Sequence, residues 1–363
     1  MKRKVCCFLE SFELGGIEVF ITEVLLHCDI SDLEIDVIAT KISKNACYDT
    51  LKGIGVNFIE LSGKPRSPKN FSLFKQIVKT KHYDVIHFNI FHGLALNYVR
   101  IAKKLSVPSR IVHAHGAGLR KSRTRFVKLF LHRFCRFLFK KCPTHYLACS
   151  ESAAKFLYGN IPAKIISNGI ETEAFRFSPQ KRIKMRRELG LEDEVLISHV
   201  GRMSNEKNHR FLLSTFKFYT DINPNSRLAL AGDGPLREEL EDCAKELNIS
   251  DKVKFLGNIS NVADLLCASD FFVFPSIVEG LGIAAIEAQA SGLFTICSDA
   301  VPPEAKITDR FVSLPINDPC IWAEEISALP FLINRDYYAD AVKNAGFDIS
   351  TSAHQIGNLY RGD

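Results

Sequence analysis

Short apolar runs rich in β-branched and aromatic residues recur along the chain, each followed by a stretch long enough for a helix. They read KVCCFL, EIDVIAT, VNFIEL, YDVIHFN, SRIVHAH and HYLACS in the first half, then VLISHVGR, SRLALAGDG, KVKFLGN, DFFVFPS and LFTICSD in the second. Runs that are apolar throughout belong to strands buried on both faces, and strands alternating with helices give parallel sheets covered on both sides. So many strands in 363 residues exceed what one hydrophobic core serves, so two such sheets are expected. The pattern breaks at ISNGIETEAFRFSPQKR, residues 166–182, where Asn-Gly and Ser-Pro interrupt it. The expectation is an α/β protein with domains over 1–172 and 173–345. A last segment, 346–363, carries the amphipathic helix STSAHQIGNLYR, which could return to the first domain.

Composition narrows the class of protein. Hydrophobic residues make up 46% and charged residues 24%, ordinary values for a folded chain. The 11 cysteines are scattered, with no CxxC pair and no Cys/His cluster at zinc spacing, so neither a disulfide framework nor a metal site is expected and a reducing cytoplasm fits. At the N-terminus VCCFL is too short for a signal-peptide core and Glu10 ends it. No uncharged stretch approaches the ~20 apolar residues that cross a bilayer. The net charge of +6 is unevenly spread: residues 85–150 hold 13 of the 47 Lys and Arg and no acidic residue, while the other 34 face all 41 Asp and Glu elsewhere. Such a cationic segment points to an anionic partner surface.

In open α/β sheets ligands sit beyond the carboxyl ends of the strands, and the informative residues fall there. DFFVFPS is a strand, IVEGLG the following loop and IAAIEAQASG a helix. Free amides at that helix start, approachable because Gly280 and Gly282 lack side chains, can hold a diphosphate. Glu287, one to two turns in, can reach the vicinal hydroxyls of a ribose, while Glu279 faces what is attached beyond the phosphates; the plainer alternative is a helix-start acid and a solvated glutamate. VLISHVGRMSNEKNHRFLLSTF puts Arg202 and Lys207 in a strand-to-helix loop, where two cations can stabilise charge on a departing diphosphate or simply decorate a surface. LALAGDGPLREEL supplies Gly232 and Gly234 in a third such loop, for a nucleotide or for a tight turn, and it is not a complete GxGxxG. Gly257 ends the next strand, KVKFLGN. Gly15 and Gly16 repeat the arrangement after the first strand.

Taken in order, Gly-Gly after strand one, Gly-Arg-x4-Lys, Gly-Asp-Gly-Pro and Glu-Gly-Leu-Gly-x4-Glu resemble family 4 glycosyltransferases of the GT-B type. NGI at 168–170 and GFDIST at 346–351 look like those of bacterial capsular and exopolysaccharide members. The resemblance implies two Rossmann-like doubly wound domains facing a central cleft. It also implies a nucleotide-sugar donor, a uridine diphosphate sugar being expected, with Arg202 and Lys207 neutralising the diphosphate, Glu279 on the sugar hydroxyls and Glu287 on the ribose. The segment Gly280, Leu281, Gly282 and Ile283 would cup the phosphate, and His115 in HAHGAG would lie near the transferring sugar, with His113 two residues away. Transfer with retention of anomeric configuration is part of the same implication. No Asp-x-Asp is present, so no metal is expected.

Residues 120–141, RKSRTRFVKLFLHRFCRFLFKK, place Arg125, Lys128, His132, Arg133, Arg136 and Lys140 on one helical stripe, with phenylalanines filling much of the remainder. A basic, aromatic-rich helix suits an anionic membrane surface; the alternative is a core helix with a solvated basic face. Nucleic acid is not expected, for want of a recognition module. The expectation is a cytoplasmic hexosyltransferase attached peripherally to the inner face of the membrane and acting on a lipid-linked glycan. An epimerase of the same fold or a silent nucleotide-sugar-binding scaffold are the alternatives. Oligomeric state is not indicated.

Overall fold

The computed structural model describes residues 2–13, 15–62, 67–116, 118, 125–331 and 334–362. Two compact units form, one from residues 1–169 and 349–363, the other from 170–348. The division thus falls at 169/170 and 348/349, a few residues from the 172 and 345 expected. Ile170 N–H donates to the Phe347 carbonyl and Thr172 donates its hydroxyl hydrogen to Asp348, which ties both crossing points into the second unit.

The first unit runs β1 (Arg3–Leu9), α1 (Gly16–His27), β2 (Leu33–Ala39), α2 (Ala46–Gly53), β3 (Asn57–Glu60), α3 (Pro68–Lys81), β4 (Val85–Ile90), α4 (Leu96–Lys104), β5 (Ser109–Ala114), α5 (Arg125–Phe139), β6 (His145–Ala148), α6 (Glu151–Tyr158) and β7 (Lys164–Ile165). The sheet is parallel, ordered β3-β2-β1-β4-β5-β6-β7. Alternate residues of β1 feed opposite faces, as strand geometry requires. Val5, Cys7 and Leu9 pack with α1, and Cys6 and Phe8 pack with Phe74 of α3 and Tyr98 of α4.

The second unit runs α7 (Pro179–Glu188), β8 (Val195–Val200), α8 (His209–Ile222), β9 (Ser226–Ala231), α9 (Arg237–Glu246), β10 (Val253–Gly257), α10 (Val262–Ala268), β11 (Phe271–Phe274), α11 (Ile283–Ala290), β12 (Phe294–Ser298), β13 (Phe311–Leu314), α12 (Pro319–Ala328) and α13 (Tyr338–Val342). Its parallel sheet is ordered β10-β9-β8-β11-β12-β13. The buried guanidinium of Arg335 donates to the carbonyls of Leu266, Ser269 and Ser291, capping the ends of α10 and α11 together.

The last helix, α14 (Ile349–Arg361), belongs to the first unit. Ile349, Ala353, Ile356 and Tyr360 enter the core beside β1 and α1, and the Tyr360 hydroxyl lies 2.8 Å from His87 Nδ1. All eleven sequence runs form strands. The two strands without a counterpart, β7 and β13, are the edges of their sheets, short and only partly buried, so they lack the apolar signature of the interior ones.

Candidate active site

Sheet order in the second unit reverses between β8 and β11, the switch point where doubly wound sheets open a crevice at their carboxyl ends. Both loops leaving these strands carry the residues singled out by sequence. After β8 the chain passes Gly201, Arg202 and a 3-10 turn, Asn205–Lys207, before α8. After β11 it passes Glu279 and Gly280 to Gly282, which caps α11 in the left-handed region at φ 85°, a conformation glycine adopts without strain. Ile277 N–H donates to the Glu206 carbonyl at 2.7 Å and stitches the loops together.

Lys207 and Glu279 meet here, with Nζ 2.5 Å from Oε1. The same ammonium lies 4.5 Å from the centre of the Phe274 ring, a cation–π contact. Both side chains are partly shielded, at 23% and 11% exposure, so the pair sits at a mouth and is not buried. Beneath it lie two histidines that sequence reasoning missed. His199 donates from Nδ1–H to the Val273 carbonyl at 2.8 Å, and its ring is 4.6 Å from that of His209. Burial, and then the Lys207 charge, hold the His209 imidazole down at about 4, so it is neutral. Arg202 is exposed and makes no side-chain hydrogen bond or ion pair with a described residue.

Glycines of the GDG loop prove to serve the protein's own backbone. A Cβ on Gly232 would stand 2.2 Å from the Gly201 carbonyl oxygen, and one on Gly234 2.4 Å from that of Met203. What they admit is the loop that carries Arg202 and Lys207. Gly257 joins the same arrangement, its carbonyl accepting from Gly232 N–H at 2.7 Å. All three glycines thus position the loop that carries Arg202 and Lys207. Leu281, 3% exposed, likewise points into the core, and Ile283 packs at its edge.

Two polar side chains of α11 contrast. Gln289 is fully occupied: its amide donates to the carbonyls of Ala285 and Ala305 and its oxygen accepts from the backbone of Ile307 and Thr308. Glu287 has no partner among the described residues, and burial pushes its carboxyl up to about 7. It is therefore no solvated helix residue. Ala285 and Ile286 N–H bond back to the Gly282 carbonyl, leaving the preceding amides of the helix start to point forward.

In the first unit Gly15, in extended conformation, caps α1 and Gly16 opens it. Glu18, in the first turn, is buried and its carboxyl is pushed up to about 7 by desolvation; no motif marks it. His115 is buried one residue past β5, with Nε2 3.0 Å from Asn89 Oδ1, inside a group formed with His113, His87 and Phe20. Burial lowers all three imidazoles, which are neutral.

Helix α5 departs from expectation. Residues 120–124 lie outside the described residues. From Arg125 onward the side turned to the body consists of His132 and Cys135, and the side turned to solvent is aromatic: Phe126 is 86% exposed, Phe130 68% and Phe137 69%, with Phe134 beside them. The core-helix alternative holds for the solvated basic residues but not for the aromatic ones, which it would have buried. Arg125, Lys128, Arg133 and Lys140 are exposed along the flanks. Arg136 is turned inward, where it donates to the Phe156 carbonyl, and is thus not part of the free basic set. No helix among the described residues is long and apolar enough to cross a membrane.

Each of the two units is a doubly wound parallel sheet, and the second carries loops at its switch point of the kind that hold phosphate-bearing ligands. Comparison with known proteins agrees. The family model for Glycosyltransferase Family 4 matches residues 14–174 and that for Glycosyl transferases group 1 matches 181–344. EpsF of Bacillus subtilis (strain 168) is 27% identical over 99% of this chain and 96% of its own length. The Escherichia coli UDP-Gal:alpha-D-GlcNAc-diphosphoundecaprenol alpha-1,3-galactosyltransferase is 31% identical over 63% of this chain and 60% of its own. Among solved structures, Anabaena HepE in complex with UDP and glucose superposes with a TM-score of 0.78 at 21% identity, over 99% of this chain and 100% of that one, a likeness of fold. The chain belongs to the family 4 glycosyltransferases of GT-B fold and is an enzyme of the hexosyltransferase class.

Proposed function

We propose that this enzyme moves a hexose or N-acetylhexosamine from a uridine diphosphate donor to a lipid-linked glycan in capsule, exopolysaccharide or O-antigen assembly. Transfer proceeds without a metal, with retention, and from a peripheral position on the inner face of the cell membrane. The observation that carries the reading is the Lys207–Glu279 pair at the second unit's switch point. A diphosphate laid against the start of α11 meets forward-pointing amides, the Lys207 ammonium and the exposed Arg202 guanidinium, which together oppose the charge that grows as the glycosidic bond breaks. Glu279 holds Lys207 in place and offers its other oxygen to a sugar hydroxyl. Glu287, a carboxyl without a partner among the described residues, suits a ribose diol. The leaving phosphate takes the proton of the incoming hydroxyl on the same face, which is what retention requires.

Support comes from relatives: the E. coli enzyme is named for a UDP-Gal donor and a diphosphoundecaprenol-linked acceptor, and HepE was solved with UDP and glucose. The outward aromatic face of α5, flanked by cations, is what a peripheral protein presents to an anionic bilayer. The test is sugar transfer and UDP release from UDP-hexoses and UDP-N-acetylhexosamines in chelator. Lys207→Ala and Glu279→Ala are each expected to lose about 100-fold or more with melting temperature retained. Unchanged turnover in both would remove the proposal.

A further inference from the structure

The two histidines beneath the Lys207–Glu279 pair have no part in the transfer described above, and one of them is left incomplete by the fold around it. His199, fully buried near the carboxyl end of β8, donates from Nδ1–H to the Val273 carbonyl of β11 at 2.8 Å. A carbonyl only accepts, so the ring carries its proton on Nδ1. Burial above all holds the imidazole well below its ordinary pKa, so it takes no second proton. Nε2 is then a bare lone pair, and it has no hydrogen-bond partner among the described residues.

The neighbouring loop shows what this lone pair is next to. A Cβ at Gly201 would stand 3.1 Å from His199 Nε2 and 3.3 and 3.4 Å from Cδ and Cε of Lys207, so the nitrogen and the lysine stem border one small space that glycine leaves open. The His199 ring also continues the aromatic floor under the ammonium. It stacks on Phe274 at 5.4 Å and 26°, and Lys207 Nζ lies 4.5 Å from the centre of the Phe274 ring. His209 meets the His199 ring edge to face, at 4.6 Å and 74°.

A buried acceptor without a donor destabilises a fold, and an apolar side chain in the same space would not. A nitrogen lone pair and a ring face are both electron-rich, and both attract an ammonium. We propose that His199 is a positioning residue for the reaction: its Nε2 lone pair and the Phe274 face make an electron-rich seat that holds Lys207 where it meets the donor diphosphate. This rests on the glycosyl-transfer reading above.

The experiment titrates the full chain with UDP in chelator and measures kcat and both KM values, with His199→Phe, His199→Gln and Phe274→Leu each made alone and together with Lys207→Ala. His199→Phe keeps a ring and removes both nitrogens; it is expected to weaken UDP binding and to lower kcat about 10-fold, while the acceptor KM moves less than about twofold. His199→Gln returns an acceptor oxygen near the place of Nε2 and is expected to stay within about threefold of the unsubstituted protein. Phe274→Leu is expected to weaken UDP binding about threefold or more. None of the three should add a loss in the Lys207→Ala protein, where the seat has nothing to hold. Losses that persist undiminished in that protein mark a merely structural role and overturn the proposal. So does UDP affinity unchanged in His199→Phe, or His199→Gln as weak as His199→Phe. If His199→Phe does not fold, the cycle of Phe274→Leu with Lys207→Ala decides, additive losses overturning the seat. Lys207→Ala binding UDP as tightly as the unsubstituted protein is a different result, and counts against the donor-site reading itself.

Discussion

Glu287 sits on α11 with its carboxyl pushed up to about 7 by burial and with no described partner. Below about pH 4 it is protonated whether the chain is folded or not. Between its ordinary value of 4.5 and about 7 the folded chain keeps the proton that the unfolded chain has lost, so stability falls as pH rises through this window. The residue keeps some solvent access, so the cost at pH 8 is at most about 3 kcal/mol. Glu287→Gln is therefore expected to melt higher than the unsubstituted protein at pH 8 and equally at pH 4, while binding UDP about tenfold more weakly. Equal melting at both pH values would show that the carboxyl is not strained. The pattern that located Glu279 and Glu287 is local in sequence, two acids around a glycine turn, and so was legible. His199, His209 and Glu18 were not, because nothing along the chain distinguishes a buried neutral imidazole or a raised carboxyl from an exposed one; only packing does.

At the scale of elements, the GDG loop and α5 are the places where pattern and packing part. Glycine in a strand-to-helix loop signals close approach, but the sequence does not say to what. Here Gly234 approaches the Met203 carbonyl, so Gly234→Ala is expected to destabilise by about 1–3 kcal/mol and to weaken donor binding by displacing Arg202 and Lys207. Gly53→Ala, with open space around it, is the control and should be near neutral on both readouts in thermal melts and titrations. For α5 the sequence shows amphipathicity but not which stripe faces the body, since both a basic and an aromatic stripe are present. The contacts of His132 with Gly93 and Phe156 decide it, and the phenylalanines turn out. Phe126, Phe130 and Phe137 replaced together by Ser should abolish flotation with anionic vesicles, and Lys128 and Arg133 replaced by Glu should weaken it in a salt-dependent way. Flotation unaltered by both sets would assign α5 another partner.

For the whole molecule, two parallel sheets were legible because their interior strands are apolar throughout, and two of the four edge strands, β7 and β13, were missed for the converse reason. The return of α14 to the first unit was legible only as a possibility, since amphipathicity names no partner. Its tie to the core is concrete: Tyr360→Phe removes the hydroxyl at His87 Nδ1 and should cost about 1–3 kcal/mol in chemical denaturation. A chain ended at Asp348 should lose the cooperative unfolding of the first unit, because α14 fills the core beside β1. Sequence order alone also does not reveal that each sheet has its own switch point, one lined by Lys207 and Glu279, the other between β1 and β4. The claim on which the functional account turns is that a nucleoside diphosphate binds at the first of these through protein cations and helix-start amides. Calorimetric titration of UDP in excess chelator tests it most directly: the unsubstituted protein should bind, and Lys207→Ala should bind about 10- to 100-fold more weakly. Equal affinity of the two proteins, or binding that appears only when a divalent metal is restored, would contradict it.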